Sequence, residues 1–213
     1  MYFEILVEDQ SGKALLEEVV PRIVADAAVR PRIMHYKGIG ALPKDLRAGA
    51  HARTRALLNN LPRLLRGYGQ TPGIDALVVV MDSDRRDCGE LLSELQSCAA
   101  ANLFPVRAVF RIAIEETEAW LLSDRDAVLR AYPRAKRPLL ERYEPDSICD
   151  TWEMLADAVH PGGRAALGSG GYAETGALKS EWARKIGPQL DLANPKSPSF
   201  RKLLTTLRDL AAA

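Results

Sequence analysis

The chain of 213 residues has few cysteines and almost no net charge. Its three cysteines (Cys88, Cys98 and Cys149) lack the spacing of metal ligands and are too few for a disulfide framework. A formal net charge of +1 provides no general attraction to nucleic acid or to a membrane surface. These features argue against a zinc module and a disulfide-stabilised scaffold, and we expect a protein of the reducing cytoplasm.

The sequence also lacks an apolar run long enough to cross a bilayer, and nothing near its start is typical of a signal peptide. We therefore expect no membrane partner. The three histidines (His35, His51 and His160) are scattered and do not indicate a metal site. No nucleophile-elbow motif is present, so serine-hydrolase chemistry has no support.

What the chain does contain is a set of short apolar runs that each end in acid. Three runs share this pattern: residues 2–7 before Glu8-Asp9, residues 76–81 before Asp82-Ser83-Asp84, and residues 106–114 before Glu115-Glu116. Such runs, rich in β-branched side chains, are typical of strands buried on both faces of a parallel sheet. Ligands of open α/β sheets bind beyond the carboxyl ends of the strands, so these acids are expected to meet at one edge.

The segments between the runs predict an α/β fold. Residues 31–36 form a further short strand, and apolar residues at helical spacing lie between the strands. We expect a Rossmann-like, mostly parallel central sheet with helices on both faces. A core over residues 1–124 is expected to carry a helical and loop extension, residues 125–213, packed on it.

Several local features are predicted within this plan. A long helical region is expected to follow the loop at residues 37–40 and to end at Arg66, with a kink or break at Pro62. Residues 115–131 are expected to be helical. Asp87 and Asp150 are candidate N-caps for the helices that follow them.

Converging Glu8, Asp82 and Asp84 side chains would repel one another and would favour a cation among them. Carboxylate oxygens suit Mg²⁺ or Mn²⁺, which polarises a phosphoryl group and activates water. In that hypothesis all three carboxylates are catalytic and bind the metal, Glu8 also serves as acid or base, and Glu115 or Glu116 extends the ligand set. The alternative is structural: Asp82 and Asp84 form a capping turn, and the glutamates favour a helix dipole.

Positive side chains near these acids are candidate phosphate contacts. Lys37 precedes Gly38-Ile39-Gly40, a loop that can bring an ammonium group and backbone N–H groups to a phosphate, although it is not a Walker loop. Two basic regions, residues 44–66 and 125–142, are either solvated helix faces or phosphate-facing patches. The candidate nucleic-acid contacts are Lys37, Lys44, Arg53, Arg85 and Arg86. The three tryptophans are expected to pack in the core rather than to stack on bases.

A strand that ends in Glu8, followed by a later strand that ends in Asp82-x-Asp84, resembles the Toprim domain of topoisomerases, primases and overcoming-lysogenisation-defect nucleases. More narrowly, the segments around Glu8, Lys37 and Asp82, the segment Glu118-Ala-Trp-Leu-Leu-Ser-Asp124 and the segment Ser197-Pro-Ser-Phe200 resemble a bacterial Toprim-like family of unknown function (family 4276). The resemblance implies a Toprim-like core, a Toprim glutamate at Glu8 and Mg²⁺-binding aspartates at Asp82 and Asp84. It departs at Asp9, because Toprim glutamates are commonly followed by glycine.

These observations lead to a functional hypothesis: Mg²⁺-dependent phosphodiester hydrolysis on nucleic acid by a Toprim-type nuclease that serves in defence or repair. Two alternatives use the same carboxylates. One is a non-catalytic nucleic-acid or regulatory binding module, and the other is a phosphoesterase acting on a small molecule. A homodimer or a partner protein is compatible with the helical second half of the chain.

Overall fold

Four parallel strands form a single sheet in the described part of the chain. A computed structural model describes residues 2–24, 31–47, 55–102, 106–167 and 172–213. The strands are β1 (Phe3–Val7), β2 (Arg32–His35), β3 (Ala76–Asp82) and β4 (Arg107–Ala113), in the order β2-β1-β3-β4. All three pairings are parallel, which confirms the predicted α/β fold.

Helices follow each strand and dominate the second half of the chain. They are α1 (Gln10–Ile23), α2 (Leu57–Gly69), α3 (Cys88–Ala101), α4 (Glu118–Leu122), α5 (Arg125–Ala131), α6 (Arg137–Arg142), α7 (Thr151–Val159), α8 (Tyr172–Ile186) and α9 (Pro198–Ala212). Short 3₁₀ turns cover Arg164–Leu167 and Gly187–Gln189. Among the described residues, no helix combines the length and apolar character needed to cross a membrane.

The strands alternate their side chains between two apolar clusters, one on each face of the sheet. Ile5, Val7 and Val78 lie in a cluster with α1 and the helices from α4 to α9. Leu6 and Val79 lie in the other cluster, with α2 and α3. Because successive side chains of a strand point to opposite faces, a continuous apolar run is what burial on both faces requires.

Two helix predictions need correction. The helix expected to end at Arg66 begins only at Leu57, and Pro62 lies inside it without ending it. The helix expected over residues 115–131 is interrupted at Ser123-Asp124, where α4 ends and α5 begins. Asp124 explains the break, because its carboxylate accepts a hydrogen bond from the Ala127 N–H at 2.9 Å and so starts a new helix.

The two predicted N-caps have different outcomes. Asp87 caps α3, since its carboxylate accepts the N–H of Glu90 at 2.9 Å. Asp150 occupies the N-cap position of α7 in a left-handed conformation with φ of 57°, but its side chain makes no capping hydrogen bond. A different carboxylate performs that role, as described for the site below.

The Ser-Pro-Ser-Phe segment has a structural explanation. Ser197 caps α9 by accepting the N–H of Phe200 at 3.0 Å. The buried indole of Trp120 donates to the Ser199 hydroxyl at 2.8 Å and stacks on the Phe200 ring, with centroids 5.2 Å apart. Asp146 accepts hydrogen bonds from both serines, at 2.5 Å and 3.1 Å. The network ties α4, the start of α9 and the loop before α7 together.

Helix α8 connects the second half of the chain to the sheet. It packs along α1, which itself covers β1. Trp182, Ala183 and Ile186 form its buried stripe. This contact brings the middle of α8 to the carboxyl edge of the sheet.

Candidate functional site

The acids predicted to meet at the carboxyl edge of the sheet do lie at neighbouring strand ends. Val7, the last residue of β1, pairs with Val80 of β3, and Glu8 follows directly after it. Asp82 is the last residue of β3 and pairs with Ala113 of β4, two residues before Glu115. The parallel order therefore places the ends of β1, β3 and β4 side by side.

Glu8 and Asp82 are in direct contact. The Glu8 carboxylate accepts the backbone N–H of Asp82 at 3.2 Å. Asp82 is only 7 % exposed, and its buried Oδ1 atom has no hydrogen-bond partner in the part of the chain that the structure describes. A buried carboxylate oxygen without a donor is costly, so this atom is a natural point for a cation or a proton.

Burial dominates the electrostatics of this pair. It raises the pKa of Glu8 to about 7, and the charges of Asp84 and Asp9 act in the same direction. Burial also raises the pKa of Asp82 well above its ordinary range, with Glu8 adding to the effect. Both groups therefore favour protonation or a bound cation at neutral pH.

Asp84 differs from Asp82 in its exposure and backbone conformation. Its side chain is exposed, and its φ of 49° lies in the left-handed region, which non-glycine residues seldom occupy. Its N–H donates to the Glu115 carbonyl at 2.9 Å, and the N–H of Glu115 in turn donates to the Ser83 hydroxyl at 2.8 Å. These hydrogen bonds join the two strand ends and hold Asp84 at the rim of the site.

Lys179 of α8 lies among acids of the site and was not foreseen from the sequence. We call the carboxylates of Glu8, Asp82, Asp84, Glu116 and Glu118 the acid cluster. Its ammonium group lies 3.1 Å from Glu118 and 3.4 Å from Glu116, and its side chain is only 12 % exposed. Burial lowers the pKa of Lys179, but the charges of Glu118, Glu116, Asp82 and Asp9 outweigh that effect and raise it above its ordinary value. Lys179 is therefore a permanent cation of the cluster.

A signal for Lys179 does exist in the sequence. It lies three, four and seven residues before Trp182, Ala183 and Ile186, which form the buried stripe of α8. A lysine in the apolar stripe of a helix must meet a buried counter-charge. Which acids it meets depends on the packing of α8 against α1, which no local motif encodes.

Glu116 and Glu118 complete the cluster. Burial raises the pKa of Glu116 to about 7, while Lys179 opposes the shift. Burial likewise raises the pKa of Glu118, whose side chain is 2 % exposed, again against the effect of Lys179. Glu116 thus lies beside Lys179 and lines the same groove as Asp84, and Glu118 is the buried partner of the lysine.

The Glu115 carboxylate caps the start of α7. Its two carboxylate oxygens accept the N–H groups of Cys149, Asp150 and Thr151, at 3.1, 2.8 and 3.1 Å. These are the unpaired donors at the start of α7, and they explain why the Asp150 side chain makes no cap. Three backbone donors on one carboxylate leave little capacity for a metal, so we do not include Glu115 in the proposed ligand set.

The Asp9 carboxylate is also a helix cap. Its carboxylate accepts the N–H of Gly12 and the hydroxyl of Ser11, each at 2.8 Å, and so caps α1. Gly12 has no room for a side chain, because a Cβ atom there would lie 2.6 Å from Val7. The acid after Glu8 therefore starts the helix that covers β1.

The loop that contains Lys37 does not offer its first backbone N–H groups to a ligand, in contrast to the prediction. The N–H of Lys37 donates to Arg55 at 3.0 Å, and that of Gly38 donates to the Glu8 carbonyl at 3.2 Å. The Gly38 carbonyl instead accepts the N–H of Leu57 at the start of α2. The Lys37 side chain is exposed.

The other predicted basic contacts are distributed along the rim. Arg85 and Arg86 line a groove that also contains Asp84. Arg86 forms an ion pair with Glu94 at 2.6 Å. Both residues line a second groove, which also contains the exposed Lys44. Arg53 lies outside the described residues.

The cluster fits a hard divalent cation in the kind of donor it offers. Asp82 provides a buried oxygen without a hydrogen-bond partner, and Glu8, Asp84 and Glu116 add carboxylate oxygens, the ligands that Mg²⁺ and Mn²⁺ prefer. Within the described residues, no three His, Cys, Asp or Glu side chains converge as a complete metal site. The fit therefore lies in the chemistry of the donors.

Comparison with known proteins gives one match. A family model described as "Domain of unknown function (DUF4276)" matches residues 7–208. The search of curated proteins gives no significant match. The search of solved structures gives none either.

Proposed function

The chain belongs to the DUF4276 family of unknown function, and from the site itself we propose that it hydrolyses phosphodiester bonds of nucleic acid with Mg²⁺ or Mn²⁺. We further propose that residues 1–124 are a Toprim-like core and that the site is of the Toprim nuclease type. One observation carries the proposal: Glu8 and Asp82 are in contact at the ends of adjacent parallel strands, where a buried Asp82 oxygen has no hydrogen-bond partner among the described residues.

Each carboxylate has a distinct task in this proposal. Asp82 and Asp84 would hold the metal, and Glu8 and Glu116 would add carboxylate oxygens. When bound, the cation polarises the phosphoryl group and lowers the pKa of water. Glu8 suits proton transfer, because a group with a pKa of about 7 exists in both protonation states at neutral pH.

Lys179 supports the cluster in this proposal. Its ion pairs hold Glu116 and Glu118 in place and balance part of the negative charge, so that a phosphate is less strongly repelled. Arg85 is 86 % exposed and lies 3.5 Å from Asp150, a long contact that leaves its guanidinium able to reach a phosphate at the rim.

A non-catalytic binding module is the second candidate function. Two observations favour it. Lys179 already supplies a cation to Glu116 and Glu118, and no complete three-residue metal site is formed within the described ranges. Such a module would keep the acid cluster as a structural element and would not cleave its ligand.

Cleavage assays distinguish the two functions. Purified protein is incubated with plasmid DNA, single-stranded DNA and RNA in Mg²⁺ or Mn²⁺, with EDTA in parallel. The catalytic proposal expects cleavage that disappears with EDTA and in the Asp82→Ala/Asp84→Ala double variant. The Asp209→Asn variant, which changes an exposed carboxylate on α9, is expected to cleave like wild type.

Two outcomes would contradict the proposal. Absence of cleavage on all three substrates would favour the binding module. Cleavage that persists in the double variant would mean that Asp82 and Asp84 are not the catalytic ligands.

A further inference from the structure

A groove of about 420 Å³ opens beside the acid cluster. Asp84 and Glu116, which belong to the proposed catalytic site, line it together with Arg85 and Trp152. The groove therefore shares two residues with the proposed catalytic site. Its lining combines an arginine with an indole ring, which are the side chains that contact phosphates and unstacked bases.

Trp152 differs from the other two tryptophans. Trp120 is fully buried and Trp182 is 2 % exposed, and both belong to the apolar core, as the sequence predicted. Trp152 is partly buried: it packs against that core and also lines the groove. A ring supported on one side and open on another is a rigid platform for a flat ligand.

Five acids line the groove (Asp84, Glu115, Glu116, Asp150 and Glu153), and three of them have contacts that offset their charge. The carboxylate of Glu115 accepts three backbone N–H groups, and Glu116 is paired with Lys179. Asp150 is paired with Arg85 through a long contact of 3.5 Å between exposed side chains. Such a pair is weak and exchanges readily, so Arg85 is available to a phosphate.

We infer that this groove binds one unstacked nucleotide next to the scissile bond, with its base on Trp152 and its phosphate at Arg85. The inference rests on the proposed function and adds the substrate class: single-stranded nucleic acid or a frayed end. A base inside a duplex is stacked on both faces and cannot present a face to an indole ring. Single-stranded ligands provide such faces without an unpairing cost.

Intrinsic tryptophan fluorescence tests the groove without relying on cleavage. The full chain carrying Asp82→Asn is titrated in Ca²⁺ with a twelve-residue oligothymidylate. We expect quenching, because Trp152 is the tryptophan that lines the groove. Trp152→Phe is expected to bind with similar affinity but without the quenching, since phenylalanine still stacks. Anisotropy of a labelled oligothymidylate measures its affinity.

The base contact of Trp152 and the phosphate contact of Arg85 have different measurable effects on binding. Trp152→Ala is expected to raise the Kd about 5- to 150-fold, the effect of losing one base–aromatic stack. Arg85→Gln is expected to reduce the slope of log Kd against log salt by about 0.7, the value for one phosphate contact on a single strand. Arg142→Gln, on the exposed end of α6, is the matched control and is expected to leave the slope unchanged.

Four results would overturn the inference: no quenching, the same quenching in Trp152→Phe, a duplex of equal length binding as tightly, or quenching by spermidine but not by the oligonucleotide. The last result would identify an amine-binding groove built from acids and an aromatic ring. Quenching by oligothymidylate without cleavage in Mg²⁺ would support the groove and contradict the catalytic proposal. Cleavage without quenching would do the reverse.

Discussion

At the scale of single residues, the site combines several buried acids with a buried lysine, Lys179. Asp82 and Glu118 are the most buried acids of the cluster, and Lys179 is the cation that reaches Glu118 directly. An isolated buried carboxylate would be very costly, so the lysine is needed for the cluster to form. The Asp82 oxygen that the lysine does not satisfy is the atom we assign to the metal.

Lys179→Met is expected to destabilise the protein by about 3–5 kcal/mol at pH 8, because it leaves the buried Glu118 carboxylate without a counter-charge. The loss is expected to shrink towards pH 5, where Glu118 and Glu116 become protonated in the folded variant. Lys179→Arg keeps the charge and serves as the control. Urea unfolding at both pH values measures the effect, and an equal loss at pH 5 and pH 8 would contradict the ion-pair explanation.

The raised pKa values of Glu8 and Glu116 predict a pH-dependent stability. Both are about 7 in the folded protein, above the ordinary value of a glutamate, so the folded state binds more protons than the unfolded state between about pH 4.5 and 7. Without metal, the free energy of unfolding should therefore fall as pH rises through this window and level off above it. Urea unfolding at several pH values measures this slope, which Glu8→Gln should reduce.

Added Mg²⁺ is expected to reverse part of this trend, because the cation and the proton compete for the same carboxylates. The increase in Tm caused by Mg²⁺ should be larger at pH 8 than at pH 6. Thermal unfolding with and without Mg²⁺ measures this difference. A Tm increase that does not depend on pH, or one that survives in Asp82→Asn, would place the cation elsewhere.

At the scale of secondary-structure elements, the site depends on helix starts that are capped from a distance. Glu115, at the end of β4, caps α7, a helix that begins 36 residues later in the chain. Asp146 in the loop before α7 is bound by the two serines at the start of α9. The segment that leads into Trp152 is thus fixed at both ends, which gives the groove a defined wall.

Glu115→Ala is expected to lower the free energy of unfolding by about 2–4 kcal/mol, because three backbone donors at the start of α7 lose a charged acceptor. Glu144→Ala changes an exposed acid in the loop before α7 and is expected to have little effect. Urea unfolding of the two variants makes the comparison. Equal stability of Glu115→Ala and wild type would show that water replaces the cap without cost.

At the scale of the whole molecule, one apolar cluster joins the two halves of the chain. It contains residues of β1 and α1 together with residues of α7, α8 and α9. A domain that shares its core in this way loses stability everywhere when either half is removed. The division at residue 124 therefore marks a change in the pattern of elements, while the packing is continuous across it.

We expect the full chain to unfold in one transition, because the two halves share this core. Tryptophan fluorescence reports on Trp120 and Trp182 in the shared cluster, and far-UV circular dichroism reports on all helices. The two urea curves should coincide. Separate transitions would mean that residues 1–124 and 125–213 are independent folding units.

Much of the sheet and its acid edge could be predicted from the sequence. The continuous apolar runs before Glu8 and Asp82 are satisfied by burial on both faces, so local pattern determines β1 and β3. The same pattern predicts burial of the run before Glu115, but β4 contains Arg107 and Arg111 and is only partly buried. The capping role of Glu115 could not be predicted, because its partners lie at residues 149–151 and are reached only through tertiary contacts. The break between α4 and α5 was missed for a local reason, since a capping aspartate outweighed helical spacing.

The sequence by itself determined the α/β class, the parallel strands and the three acids Glu8, Asp82 and Asp84 at their ends, because strand periodicity and turn residues are local properties of the chain. Tertiary structure alone decided which charges meet there. It brought Lys179 to Glu116 and Glu118 and made the Glu115 carboxylate the cap of α7. It also placed Trp152 in the groove. The physical reason is that burial, ion pairing and pKa depend on neighbours in space, and these neighbours are set by how α7 and α8 pack.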